Sequence, residues 1–209
     1  MIVGMMAWAA VALGGSETVN SSALVPAPAL GQRVLAELNR VRGAPHELVG
    51  DLTRFRGWHE GNLVRFPGRE VAMITREGVV AVDDAIEAAR SQQPVAPLTL
   101  SPILSQAAAD HAAFLAGGHV GHDGENGSSP SDRVVRRGGG RYVGEIISFG
   151  YADPADVIRQ FIVDDGVPDR GHRHAVFQGR YRYAGIACGP HARYGSTCVV
   201  TLAATPDGR

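Results

Sequence analysis

The sequence predicts an α+β fold in which helices pack on an antiparallel sheet. Three observations predict it. Apolar residues recur at helical spacing through the first two-thirds of the chain, as in Leu30, Val34, Leu38 and Val41. Two β-rich runs, Tyr183 to Cys188 and Thr197 to Ala203, close the last third around a Gly/Pro turn, as the strands of a hairpin do. Hydrophobic residues make up 44% of the 209, enough for one domain with a real core. Helices first and strands last is the order of an α+β domain rather than of alternating βαβ units.

The chain opens with MIVGMMAWAAVALGG, an apolar run that ends in small residues. Its length fits the h-region of a signal peptide better than a membrane span, which needs about 20 apolar residues. No basic residue precedes it, because the first Arg is Arg33. We therefore expect residues 1–22 to be a signal peptide, atypical in lacking a basic n-region, and the protein to be secreted. A buried N-terminal helix is the competing reading. Residues 23–30 read as a linker, residues 31–204 as the domain and residues 205–209 as a tail.

The first helix is expected from about Gly31 to Gly43, and residues 44–75 read as irregular with short helical turns. Val79, Val82 and Ile86 mark a second helix that ends before Gln93 and Pro94. Ser101-Pro102 is an N-cap with Pro at the first helical position, and Leu104, Ala108, His111 and Leu115 then share one stripe up to Gly117-Gly118. After a Gly-rich loop, Ser129 to Asp132 resembles a capping box opening a short helix that stops at Gly138. Glu145 to Phe149 is a strand, and Asp153-Pro154 caps a helix carrying Val157, Ile158, Phe161 and Ile162 inward. Cys188 and Cys198 flank the hairpin turn, so a disulfide is geometrically feasible and export would keep it oxidised; two buried free thiols are the alternative.

Net charge is −1, and all 20 basic residues are Arg, so no broad basic field exists to hold nucleic acid. No GxSxG elbow, Walker loop or GxGxxG after a strand occurs, and the loop at His122 lacks the ligand pattern of an EF-hand. Chemistry could sit at His119 and His122, at Glu145, at Asp164-Asp165, or at His172 and His174. Histidine with a nearby carboxylate is a zinc or acid–base combination. Spacing alone marks no metal motif here. A turn role for Asp164 and Asp165 is the simpler reading, because a helix C-terminus disfavours anions. His46, His59 and His191 have no convergent partners and read as surface or turn residues.

Four short motifs stand in order: the Ala-rich helix at Ala107 to His111; His122 followed by Gly127-Ser128-Ser129-Pro130 and Arg133; Gly144-Glu145-Ile146-Ile147; and Gly171-His172-Arg173 followed by Tyr183 to Ala187. Together they resemble the CAP superfamily (cysteine-rich secretory protein, antigen 5 and pathogenesis-related 1; SCP-like), in a bacterial branch. The resemblance covers roughly residues 31–204. It implies an α-β-α sandwich, a small antiparallel sheet between helices, with a cleft of two histidines and acids that holds a divalent cation such as Zn2+ in some members. By position, His122 and His172 match the histidines and Glu145 matches one acid. Asp164 or Asp165 is nearest to the second acid. Ile146 stands where the family has Asn, which alters the hydrogen bonding beside Glu145. His174 falls at a variable position. Arg133 and Arg173 read as structural partners for acids.

Three functions follow. The first is a secreted binding module for a lipid, glycan or protein ligand, or for a cation in the cleft. The second is a metal-dependent hydrolase with Glu145 as general base and His122 and His172 as metal ligands. A serine-type version would place Ser148 near His172, but nothing marks that Ser as activated. The third is a structural exported domain without activity.

Overall fold

The computed structural model describes residues 27–209, so the signal-peptide expectation for residues 1–22 lies outside the described residues. Seven α-helices follow in order: α1 (Ala27–Gly43), α2 (Leu48–Arg56), α3 (Val79–Ser91), α4 (Pro102–Leu115), α5 (Pro130–Arg136), α6 (Pro154–Val163) and α7 (Gly171–Val176). Three two-residue strands, β1 (His59–Glu60), β2 (Leu63–Val64) and β3 (Met73–Ile74), form a small antiparallel sheet. The main sheet holds β4 (Thr99–Leu100), β5 (Val143–Phe149), β6 (Tyr183–His191) and β7 (Gly195–Ala203) in the order β4-β6-β7-β5.

Helices cover both faces of the main sheet, so the sandwich implied by the resemblance is the architecture found. The period-2 alternation of β7 sorts the two cores. Cys198, Val200 and Leu202 join α1, α3 and α6 on one face. Val199 meets Ala108, Ala112 and Leu115 of α4 on the other, and Ala203 meets Leu104, Ala107 and Val134 there. The alanines of α4 let it lie close to the sheet. At Gly185 the approach is closest, because a Cβ there would overlap the main chain of Leu104 and Ser105.

Several elements differ from the sequence expectation. Helix α1 already runs from Ala27, so residues 27–30 of the expected linker are helical. Residues 44–75 contain α2, which buries Leu48, Leu52 and Phe55 at helical spacing. The sheet is mixed rather than wholly antiparallel, because β4 pairs in parallel with β6 (Thr99 with Tyr183, Leu100 with Ala184). Arg42 is fully buried and donates to Ala96 O at 2.7 and 3.0 Å, to Tyr181 O at 3.1 Å and to Val176 O, tying α1 to the approach to β4 and to the end of α7. Burial, then repulsion from Arg182, lowers the Arg42 guanidinium to about 10.

Cys188 and Cys198 face each other in the β6–β7 register with Cα atoms 4.0 Å apart and are disulfide-bonded. Such a separation belongs to a non-hydrogen-bonded antiparallel pair, where side chains approach most closely. The bridge closes a short loop, so its removal by Cys188→Ala/Cys198→Ala should cost about 2–3 kcal/mol. Urea unfolding of the double variant against wild type measures it; equal midpoints would show that the bridge constrains nothing.

Candidate functional site

The site grows from four local structures. Ser129 and Asp132 form a reciprocal capping box that starts α5 and aims Arg133 back under the loop after α4. Gly144 and Glu145 lie on β5, one of the two edge strands of the main sheet. Asp164 ends α6 in the left-handed region (φ 53°), which turns the chain sharply. Its carboxylate then accepts from the main-chain N–H of His172 at 2.8 Å and of Arg173 at 3.4 Å, holding the first turn of α7.

Two carboxylate–histidine pairs result. In the first, Glu145 Oε1 lies 3.0 Å from His122 Nδ1, and its Oε2 accepts from Arg133 Nη2 at 2.7 Å. The Glu145 side chain is 1% exposed and His122 12%. Arg133 also donates to Ser128 O at 2.6 Å and to His122 O at 3.1 Å, so one guanidinium fixes both the acid and the histidine backbone. In the second pair, Asp164 Oδ1 lies 2.6 Å from His172 Nδ1, with the ring stacked on Phe161 and 16% exposed. An ionised carboxylate only accepts, so in the neutral form of each ring Nδ1 carries the proton and Nε2 keeps its lone pair.

His111 is a member of the first cluster that the sequence placed only in the α4 stripe. It is fully buried, 3.7 Å from Glu145 Oε1, and donates Nε2–H to Gly121 O at 2.9 Å. The periodicity predicted its burial, but its polar role depends on a loop carbonyl ten residues on. Burial lowers its pKa from 6.5, opposed by Glu145 and reinforced by Arg133. The sign follows directly. The folded state prefers neutral His111, so this contribution is full above 6.5 and is lost as pH falls from there toward the lower folded value. His111→Gln should therefore flatten part of the drop in Tm between neutral and mildly acidic pH. Parallel wild-type and variant Tm–pH curves would exclude that role.

The remaining expected residues lie apart. Asp165 accepts from Arg76 N and Glu77 N, both at 2.7 Å, and so anchors the segment before α3 as a turn residue. Ser148 donates to Gln160 Oε1 and is buried, with no histidine among its bonds. Arg173 takes Asp84 as its acid at 3.0 Å. His191 is neither surface nor partnerless: it is buried, donates to His119 O at 2.8 Å, and accepts from Arg193 N and Tyr194 N. Exposed His174 forms no bond to either pair. Among the described residues, no three His, Cys, Asp or Glu side chains gather as a metal cage.

The family model described as CAP, the cysteine-rich secretory protein family, matches residues 84–202, more than half of the chain. The chain belongs to the CAP family. A solved structure of an extracellular protein containing an SCP domain, from Bacillus anthracis str. Ames, aligns at 15% identity with a TM-score of 0.41. The alignment covers 59% of this chain and 38% of that one. Comparison with curated proteins found no match.

Proposed function

We propose that this CAP domain is an exported binding module whose site offers two histidine Nε2 atoms, each backed by a carboxylate. One observation carries the reading: both Glu145 oxygens and both Asp164 oxygens are already hydrogen-bonded acceptors. A general base needs a carboxylate lone pair free for water, and a catalytic zinc usually has three protein ligands. The arrangement favours acids that orient histidines over acids that do chemistry. The disulfide and the family both fit an exported protein.

Imidazole nitrogen is a donor that suits a divalent cation such as Zn2+, and His122 and His172 are the two such donors backed by a carboxylate, with no group of three His, Cys, Asp or Glu gathered as a metal cage among the described residues. His122 and His172 would hold it by Nε2, with Glu145 and Asp164 fixing each ring through Nδ1–H. A bound ion would supply Lewis acidity for a ligand oxygen. Calorimetric titration of metal-stripped protein with zinc tests the reading. One ion per chain is expected, lost in His122→Ala/His172→Ala and weakened about 10–100-fold in Glu145→Gln, the cost usual for an outer partner. Zinc retained by the double variant, or zinc-dependent hydrolysis abolished by Glu145→Gln, would overturn it.

A further inference from the structure

The outer edge of β5 carries hydrogen-bonding groups that no bond among the described residues meets. Gly150 N–H donates to Ser196 O across the β5–β7 ladder, while its neighbour Phe149 turns away. Antiparallel alternation then points the N–H and C=O of Ile147 and Glu145 the same way as those of Phe149. At Phe149 these groups are met: its N–H donates to Gln160 Oε1 at 3.2 Å, and its C=O accepts from Gln160 Nε2 at 3.4 Å. Among the described residues, no bond reaches the main-chain N–H or C=O of Glu145 or Ile147 from that side. The Glu145 side chain is 1% exposed, yet the residue as a whole is partly exposed, so it is the main chain that Glu145 shows to solvent. Ile147 is 8% exposed, and main-chain groups so deeply placed are nearly always paired.

We propose that an extended peptide adds to β5 as a further strand, pairing its main chain with Glu145 and Ile147. The Gln160 carboxamide already shows the chemistry this edge accepts, since its oxygen and nitrogen bind Phe149 as a peptide group would. The open groups continue that pattern at a period of two residues, about 7 Å along the strand. The window is bounded. Gln160 closes it at Phe149, and Val143 N–H is spent on Arg141 O at 3.1 Å. About three ligand residues fit, giving four main-chain bonds in the manner of β-strand addition. Sequence preference would then come from side chains that alternate past His122, whose ring is fixed by Glu145. This deepens the binding-module reading but needs no cation, so it can fail or hold separately from the zinc titration.

The test is selection of a displayed random heptapeptide library on the full chain, followed by amide hydrogen exchange with the enriched peptides. Exchange of the Glu145 and Ile147 amides should slow in the complex while solvent-facing amides of α2 stay unchanged. N-methylation of the peptide residue opposite Glu145 should weaken binding by up to about tenfold for each main-chain bond lost. N-methylating the ligand leaves the protein's fold untouched. No enriched peptide, or enriched peptides that bind without slowing those two amides, overturns the proposal. So does a chain that is dimeric alone with both amides already protected, because a second copy would then occupy the edge.

Discussion

Gly185→Ala should leave the protein unfolded or destabilised by at least about 4 kcal/mol. The added methyl would overlap the main chain of Leu104 and Ser105, where neither a rotamer change nor a side-chain shift gives relief. Helix α4 would have to lift off β6, which opens the core between α4 and β7 and displaces the loop that bears His122. Gly189→Ala, in the same strand, meets nothing within 4 Å and should change stability by less than about 0.5 kcal/mol. Thermal melts of the two variants separate close helix–sheet approach from a general intolerance of substitution in β6. A soluble Gly185→Ala with wild-type Tm would show that α4 does not sit where the fold places it.

Arg133→Met should be the most damaging change within the site. It strands the carboxylate of Glu145 beside buried, neutral His111 and removes the donor to Ser128 O. Breaking one side of a buried pair costs about 3–5 kcal/mol. For a domain of this size that lowers Tm by about 10 °C. The double variant Arg133→Met/Glu145→Leu removes both charges and should recover much of the loss, because the penalty belongs to the unpaired ion. If the double variant is no better than the single, the cost lies in the loop carbonyls that Arg133 holds.

These effects also mark how far the sequence could be read. The Asp153 cap, the Ser129 box, the α4 stripe and the final hairpin carry signals within a few residues, and all form as expected. Helix α2 was hidden because Gly50 interrupts it and aromatics follow, although Leu48, Leu52 and Phe55 already had helical spacing. Strand β4 exists only through parallel pairing with Tyr183 and Ala184, far along the chain, so no local pattern announces it. Six-residue α7 starts on glycine and is held by Asp164, so its cap lies seven residues before its first position.

The residue types of the two carboxylate–histidine pairs were legible, but which acid meets which ring was not. Glu145 serves His122 while Asp164 serves His172. That division needs the left-handed turn at Asp164, which no spacing rule supplies. It also needs Arg133 beneath Glu145. Arg133 reads as a partner for an acid, but that the acid is Glu145, and that the same guanidinium holds the carbonyls of Ser128 and His122, emerges only once α5 folds back.

If the two carboxylates orient the imidazoles, Nε2 of each neutral ring is left free. Nitrogen-15 NMR of the histidine side chains at neutral pH, in metal-free protein, measures this most directly. Neutral His122 and His172 should both be protonated at Nδ1, and Glu145→Gln should shift His122 without moving His172. Protonation at Nε2 in either wild-type ring, or one signal set responding jointly to Glu145→Gln, would contradict it.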